Sequence, residues 1–207
     1  MARHTGPVCR LCRRVEDKLF LKGQRCFSPK CTIDRRGARP TPRSMRRRRI
    51  SDRGIQLREK QKARFTYGVL ERQFRRFFAE ASRLPGITGE NLLQLLERRL
   101  DNVLYRLGFA SSRAQGRQLI GHGHLQVNGR KVDIPSYLLK PGDTVSWRPA
   151  SQQDTPYQEA LQRQPAYLPG WLGLDKEKME GRLLSIPTRA EVDVKLDEKA
   201  IVEYYAR

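Results

Sequence analysis

No stretch of this sequence approaches the roughly 18 consecutive apolar residues that a bilayer-spanning helix needs. The first residues hold no apolar core of the kind a secretory signal requires, so the expected location is the cytoplasm. Hydrophobic residues make up only 38 % of the chain. That suffices for modest cores, but not for one large enzyme-like core with both faces of a sheet covered. No internal repeat is visible. Acidic residues are scarce, 22 Asp and Glu against 42 Lys and Arg, which leaves a net charge of +20. Such an excess demands a polyanionic partner, either an anionic membrane or nucleic acid. With membrane and small-molecule substrate set aside, nucleic acid is the expected partner.

The charge is unevenly spread. Residues 1–64 carry 21 Lys and Arg against 5 Asp and Glu, so +16 of the +20 sits in the first third. An asymmetric basic arm of this kind lies along phosphates; the alternative is a solvated tail. The same segment holds all four cysteines, Cys9, Cys12, Cys26 and Cys31, spaced C-x2-C and C-x4-C with thirteen residues between the pairs. Two close pairs joined by a loop is the spacing of a four-thiolate zinc site, because each pair spans one edge of a tetrahedron and the loop brings the edges together. Neighbouring Arg10, Arg13, Arg14 and Arg25 favour the thiolate. One zinc per chain is the expectation. An iron–sulfur cluster uses the same ligands, and disulfides or free thiols remain open. Disulfides are disfavoured in a reducing compartment.

Residues 32–54 read as a linker, with Gly37, Pro40, Pro42, Gly54 and the run Arg46, Arg47, Arg48, Arg49. Four adjacent arginines cannot all face a core, so they face phosphate or solvent. From Leu57 to Ala81 the pattern is helical, with Leu70, Phe74, Phe77, Phe78 and Ala81 as an apolar stripe. The phenylalanines read as core rather than as base-stacking platforms. Pro85, Gly86 and Gly89 break the pattern. A second helical stretch buries Leu92, Leu96, Leu100, Val103 and Leu107, with Glu97 and Asp101 on or near its polar side, and stops at Gly108. Ser111 or Ser112 caps a short helix over Arg113–Ile120. A hairpin follows, turning at Asn128-Gly129, and Thr144–Trp147 forms a third strand. The remainder is irregular, and Ala200–Tyr205 reads as a strand.

The segment Glu97–Trp147, ERRLDNVLYRLGFASSRAQGRQLIGHGHLQVNGRKVDIPSYLLKPGDTVSW, resembles the small RNA-binding module named after ribosomal protein four of the small subunit. That module also occurs in some tyrosyl-tRNA synthetases and pseudouridine synthases and in a heat-shock RNA-binding protein. The opening MARHTGPVCRLCRR, the run LREKQKARFTYGVLERQFRRFFAEAS and the ending IVEYYAR extend the resemblance to nearly the whole chain. Together they resemble the bacterial ribosomal protein four family, in its four-cysteine, metal-binding variant. Gly116 stands where the module commonly has Ala, a choice that costs on the order of 1 kcal/mol inside a helix; Gly121 replaces a more usual polar or basic residue. The usual Pro-Gly-Gln-His-Gly turn is missing from Arg39–Arg48.

The resemblance implies an α+β fold. It would comprise an N-terminal metal-binding arm (1–45), a mostly helical body domain beginning at 46–96, a small helix–hairpin RNA-binding module (97–150) inserted in it, and a C-terminal segment (151–207) packing back on the body. It implies a structural constituent of the small ribosomal subunit that binds the 5′ domain of ribosomal RNA and nucleates assembly. Such a protein contacts small-subunit protein five and messenger RNA at its entrance to the subunit, influences decoding accuracy, and in some lineages represses its own operon. Recognition would combine phosphate neutralisation with reading of RNA shape. The residues expected to touch RNA are Arg113, Arg117, Gln118, His122, His124, Asn128, Arg130 and Lys131 in the module. Arg113 and Arg117 lie one helical turn apart and could straddle adjacent phosphates, His122 and His124 are equally readable as structural, and Asn128 as the turn residue. In the arm the expected contacts are Arg3, Arg10, Arg13 and Arg46 to Arg49. Two other classes compete. An RNA-modifying enzyme would need a second domain and a catalytic constellation after Trp147, and none is visible there. A zinc-dependent DNA regulator would need a different cysteine pattern, and competition between duplex DNA and ribosomal RNA would separate the two.

Overall fold

The computed structural model describes residues 3–36, 51–163 and 167–206. The chain falls into two compact units, Met1–Gly89 with Lys195–Arg207, and Glu90–Val194. The second is therefore inserted in the sequence of the first, and the architecture is α+β.

The first unit opens with α1 (Cys9–Val15), a 3₁₀ turn (Gly23–Phe27) and α2 (Thr32–Arg36). Cys12, Val15 and Leu19 form a small apolar cluster completed by Phe65. Phe65 lies on α3 (Asp52–Thr66), whose start is capped by the Ser51 hydroxyl accepting from the Gly54 amide at 3.3 Å. The helical pattern seen over Leu57–Ala81 is two helices rather than one. Gly68, at φ 62°, breaks the chain between α3 and α4 (Glu71–Ala81). Phe74, Phe77 and Ala81 are buried, as core residues should be, while Leu70 is exposed at the helix start.

The closing run forms helix, not strand. It lies in α9 (Glu198–Tyr205), whose first turn is capped by Asp197 accepting from the Ala200 amide. The β-branched and aromatic residues of Ala200–Tyr205 favour a strand locally. Packing against α3 decides otherwise, with Ile201 fully buried, and the Tyr205 ring lies tilted against Phe78 of α4, centroids 4.5 Å apart.

Glu71 ties these helices together. Its carboxylate accepts from Lys60 Nζ at 2.8 and 2.9 Å, from Arg64 at 3.4 Å, from Arg75 at 3.3 Å and from the Tyr205 hydroxyl at 3.0 Å. Burial alone would raise its pKa, but the hydrogen bonds from Lys60 and Tyr205 outweigh that and hold it below its ordinary value. The Tyr205 hydroxyl is pushed up, chiefly by burial and then by the Glu71 charge.

In the second unit α5 (Thr88–Glu97) and α6 (Leu100–Arg106) replace the single helix expected from Leu92 to Leu107. α7 (Arg113–Gly121) follows, capped by the Ser112 hydroxyl, which accepts from the Gln115 amide. The sheet runs β2-β1-β3-β5-β4 and is antiparallel throughout. Its strands are β1 (Leu125–Val127), β2 (Arg130–Lys131), β3 (Thr144–Trp147), β4 (Leu172–Asp175) and β5 (Glu180–Leu183). A short helix, α8 (Thr155–Gln162), separates β3 from β4. One core of Leu104, Leu107, Phe109, Val145, Trp147 and Trp171 lies against the sheet.

The segment 151–207 divides between the units: 151–194 stay with the module and only 195–207 join the helical unit. β5 pairs with β3 because Gly181 lets the strand approach Leu107; a Cβ there would sit 2.2 Å from Leu107 Cδ1.

Because the Glu71 pKa is lowered on folding, its stabilisation is present above the ordinary value near 4.5 and is lost as pH falls through the lowered value. Glu71→Gln should therefore destabilise the first unit at neutral pH and weaken its acid dependence below about 4.5. Amide exchange in α3, α4 and α9 across that range checks both effects.

Candidate nucleic-acid interface

The exposed surface of the helix–hairpin is built around Gly123. This residue ends the chain turn after α7 at φ 76°, and its amide bonds to the Ile120 carbonyl at 2.8 Å. The Lys131 side chain runs directly over it, so close that a Cβ at 123 would lie 2.6 Å from Lys131 Cε. On the other side Arg148 donates to the Gly123 carbonyl at 3.1 Å. Two cations, Lys131 of β2 and Arg148 just beyond β3, thus converge on one turn, with exposed His122 and Gln118 beside them at the end of α7. His122 and His124 have ring centroids 6.0 Å apart. Arg148 was not among the residues picked from sequence. The register signal is the Arg148 amide bonding to the His124 carbonyl at 2.9 Å, which continues the β1–β3 ladder.

The hairpin places Arg130 and Lys131 in β2, both exposed. Asn128 and Gly129, at φ 50° and 75°, make the tight turn. The Asn128 amide is engaged at home: it donates to Asp143 at 2.8 Å, and its oxygen accepts from the Thr144 amide at 2.9 Å. It pins the hairpin to the start of β3. His124 is half-buried, with Nδ1 at 3.1 Å from the Ser151 hydroxyl and 3.2 Å from an Asp154 oxygen, and its ring lies near Trp147.

Arg113 and Arg117, expected to straddle phosphates, are turned inward, each only 9 % exposed. Arg113 Nε donates to Asn102 at 2.7 Å and its guanidinium lies 4.6 Å from the Tyr105 ring centroid. Arg117 pairs with Asp101 at 3.5 Å. Both meet a polar network that is buried, although Glu97 and Asp101 fall on or near the polar side of the helix in the sequence pattern. Asp101 is held by Arg99 at 3.0 and 2.6 Å, and Glu97 by Arg106 at 3.1 and 2.9 Å. Asn102 donates to the Glu97 carboxylate at 2.7 Å and to its carbonyl at 2.9 Å. Gly116 sits where α7 crosses this network, and a Cβ there would be 3.0 Å from the Asp101 carbonyl oxygen. Glycine at 116 thus follows from the close approach of α7 to α6.

In the arm, Arg3, Arg10 and Arg13 are exposed. Arg46, Arg47, Arg48 and Arg49 lie outside the described residues. The four cysteines are free. Cys12 and Cys26 are buried, and burial raises both thiols. A backbone amide donates to each sulfur, Leu19 to Cys12 and Lys22 to Cys26, the latter at 3.3 Å. The other three sulfurs raise Cys12 further, and Cys31 and Cys9 raise Cys26, so the four lie within electrostatic reach. Among the described residues, however, no three His, Cys, Asp or Glu side chains are arranged to hold a metal ion. The expected tetrahedral ligand set is therefore not formed here.

Comparison with known families agrees with this geometry. Residues 3–97 match the ribosomal protein S4/S9 N-terminal domain, and residues 98–145 match the S4 domain, which is the helix–hairpin just described. The chain belongs to the ribosomal protein S4 family. Relatives named small ribosomal subunit protein uS4 come from Pelotomaculum thermopropionicum, 54 % identical over 208 residues, and Thermoanaerobacter sp. strain X514, 53 % identical over 207 residues. A relative from Symbiobacterium thermophilum, named small ribosomal subunit protein uS4A, is 54 % identical over 207 residues. In all three the similarity spans 100 % of both chains. No helix among the described residues is long and apolar enough to cross a membrane.

The S4-family module depends here on Asp101, which faces both Arg99 and Arg117. Asp101→Ala should lower the stability of the second unit by about 3–5 kcal/mol, the scale for stripping one partner from a buried ion pair. Urea unfolding followed by the emission of Trp147 and Trp171, both buried in that unit, measures it. An unchanged midpoint would contradict the network's role.

Proposed function

We propose that this protein is a structural constituent of the small ribosomal subunit, acting in the cytoplasm by binding ribosomal RNA and not by catalysis. The observation that carries this reading is full-length similarity to small-subunit proteins, joined to a cationic helix–hairpin face in a chain of net charge +20. Lys131, Arg130, Gln118 and His122 offer that face to an RNA backbone. Arg148 and His124 support it from below. Arg113 and Arg117 serve it by docking α7. Phosphate neutralisation and counterion release supply most of the affinity, and the rigid spacing of helix and hairpin supplies the match to RNA shape.

Within that reading the site of binding is the 5′ domain of small-subunit ribosomal RNA, where the protein nucleates assembly of the subunit body. Arg3, Arg10 and Arg13 extend the contact along the arm. Arg46 to Arg49 face messenger RNA at its entrance to the subunit, small-subunit protein five is a neighbour, and decoding accuracy depends on both contacts. Repression of its own operon follows if the messenger leader mimics the ribosomal site.

The salt response tests the electrostatic account. Six to ten neutralised phosphates imply a loss of about a thousandfold or more in affinity between about 50 and 200 mM salt. Arg130→Ala with Lys131→Ala should weaken binding and flatten the slope by about one for each phosphate contact removed. Filter binding to a 5′-domain transcript reads both, and a flat titration of the parent protein would refute the account.

Cys9, Cys12, Cys26 and Cys31 have the donor chemistry for one structural zinc ion, with an iron–sulfur cluster as the alternative occupant. Cys12, Cys26 and Cys31 are buried, and backbone amides donate to the sulfurs of Cys12 and Cys26. Four thiolates would leave no open position for a water nucleophile, so the ion would contribute folding energy only. The apolar cluster of the arm, Val15 and Leu19 against Phe65, is too small to hold it alone. Because burial raises the Cys12 and Cys26 thiols, metal binding should release protons and weaken as pH falls. Cys26→Ser should disorder roughly the first thirty residues while the helix–hairpin stays folded. Elemental analysis of chelator-free protein and amide exchange on the variant provide the measurement; an unchanged exchange pattern removes the structural role.

A further inference from the structure

Phe20 and Phe27 stand apart from the apolar cluster of the arm. That cluster takes in Leu19 and Leu21 on either side of Phe20, and excludes both rings. Phe27 is 64 % exposed and Phe20 36 %. The two rings stack on each other, centroids 5.0 Å apart at 27°. Scattered exposed apolar residues need no explanation, but two further observations set this pair apart. Phe20 lies at φ 51°, a left-handed conformation that a bulky side chain rarely adopts. Such strain is kept where function requires a fixed geometry. It turns the ring out to solvent instead of into the cluster. The flanking sequence is also rich in cations. Residues 18–33 contain Lys18, Lys22, Arg25 and Lys30 and no acidic residue, and Lys18 Nζ lies 5.5 Å from the Phe20 ring centroid. One acid reaches the patch from outside it, Asp34, paired with Lys18 at 2.6 Å.

We propose that the Phe20–Phe27 stack is a nucleobase platform, on which one unpaired base of the bound RNA stacks against the outer face of Phe27. The claim rests on the RNA-binding reading above. An aromatic face beside ammonium and guanidinium groups matches a base with its own phosphate, since the ring takes the π-face and the cations take the backbone. Phe20 supports Phe27 from behind, and the strained backbone holds the pair pre-stacked, so little ordering remains for binding. The platform adds affinity that salt does not screen, in contrast to the lysine and arginine contacts.

Full-length Phe27→Leu and Phe27→Trp variants test this with the 5′-domain transcript as probe, after amide exchange has established that the arm is folded in each. Phe27→Leu should bind about tenfold or more weakly, the range for loss of one base–aromatic stack, with an unchanged salt slope. Phe27→Trp should bind as the parent does. Its added indole emission should be quenched on saturation, while the parent's Trp147 and Trp171, buried in the other unit, report little. Parent-like affinity of Phe27→Leu at every salt concentration, or an unquenched Trp at 27, overturns the platform while leaving RNA binding intact. Normal RNA affinity with impaired incorporation into subunits would give the rings to a protein neighbour and equally overturn it. A parent protein that fails to bind the transcript sinks the ribosomal reading and the platform with it.

Discussion

Two carboxylates at the heart of the second unit, Glu97 and Asp101, are almost completely withdrawn from water, yet Glu97 is met by the Arg106 guanidinium and the Asn102 amide, and Asp101 by the guanidinium of Arg99 with that of Arg117 beside it. Burying a charge this deeply is tolerable only when every partner arrives. The network is assembled from three directions: Arg99 and Arg106 stand at the two ends of α6, while from α7 Arg117 reaches Asp101 and Arg113 reaches Asn102. The segment after the hairpin joins them, with the Leu100 amide bonding to Tyr137 at 2.9 Å and the Asp101 amide to Pro135 at 3.2 Å. The network therefore sets the angle of α7 against α6 and the return path from β2 to β3. The position of Gly123, and of the two cations gripping it, depends on that angle. A greasy α6–α7 contact would bury as much area, but it would leave the rotation of one helix over the other less defined.

The arginines of this protein consequently do two different jobs. Those facing inward neutralise buried carboxylates and fix the scaffold. Those facing outward, with Lys131 of β2, give the surface its positive field. The division has a physical logic, since a guanidinium with five donors in a plane can satisfy a carboxylate bidentately inside a core, where an ammonium would leave lone pairs unmet. Lysine stands where a flexible cation is exposed, as Lys131 is where it lies across Gly123. In the first unit the same principle appears once more at Glu71. There Lys60, Arg64, Arg75 and Tyr205 converge on one half-buried carboxylate and bind α3, α4 and α9.

The cysteine arm follows a different rule. Its apolar cluster is small and borrows Phe65 from α3, while surface ion pairs such as Lys62–Asp17 at 2.6 Å and Arg58–Glu16 at 3.1 Å add little each. Arg58 also donates to the Val15 carbonyl at 2.6 and 2.9 Å, capping the end of α1. An arm so lightly packed has little hydrophobic core of its own to order it.

Much was legible in the sequence because the deciding forces act over a few residues. The thiol spacing, the Asn128-Gly129 turn, the Ser112 cap, the burial of Phe74 and Phe77 and the cationic excess are local or compositional. So is the helix–hairpin that carries the candidate site. What the tertiary structure alone decided concerns partners distant in the chain. Arg113 and Arg117 look like surface cations until Asn102 and Asp101 meet them. Ala200–Tyr205 has the composition of a strand until α3 and Glu71 offer it a helical berth. The Leu172–Leu183 hairpin alternates weakly, and only the notch over Leu107, which Gly181 leaves open, turns it into the outer half of the sheet. Gly116 looks like a helix weakened by glycine until the Asp101 carbonyl appears 3.0 Å from its missing Cβ. Sequence determines what each residue can do for its near neighbours; burial and charge pairing across the fold determine which of those possibilities is realised.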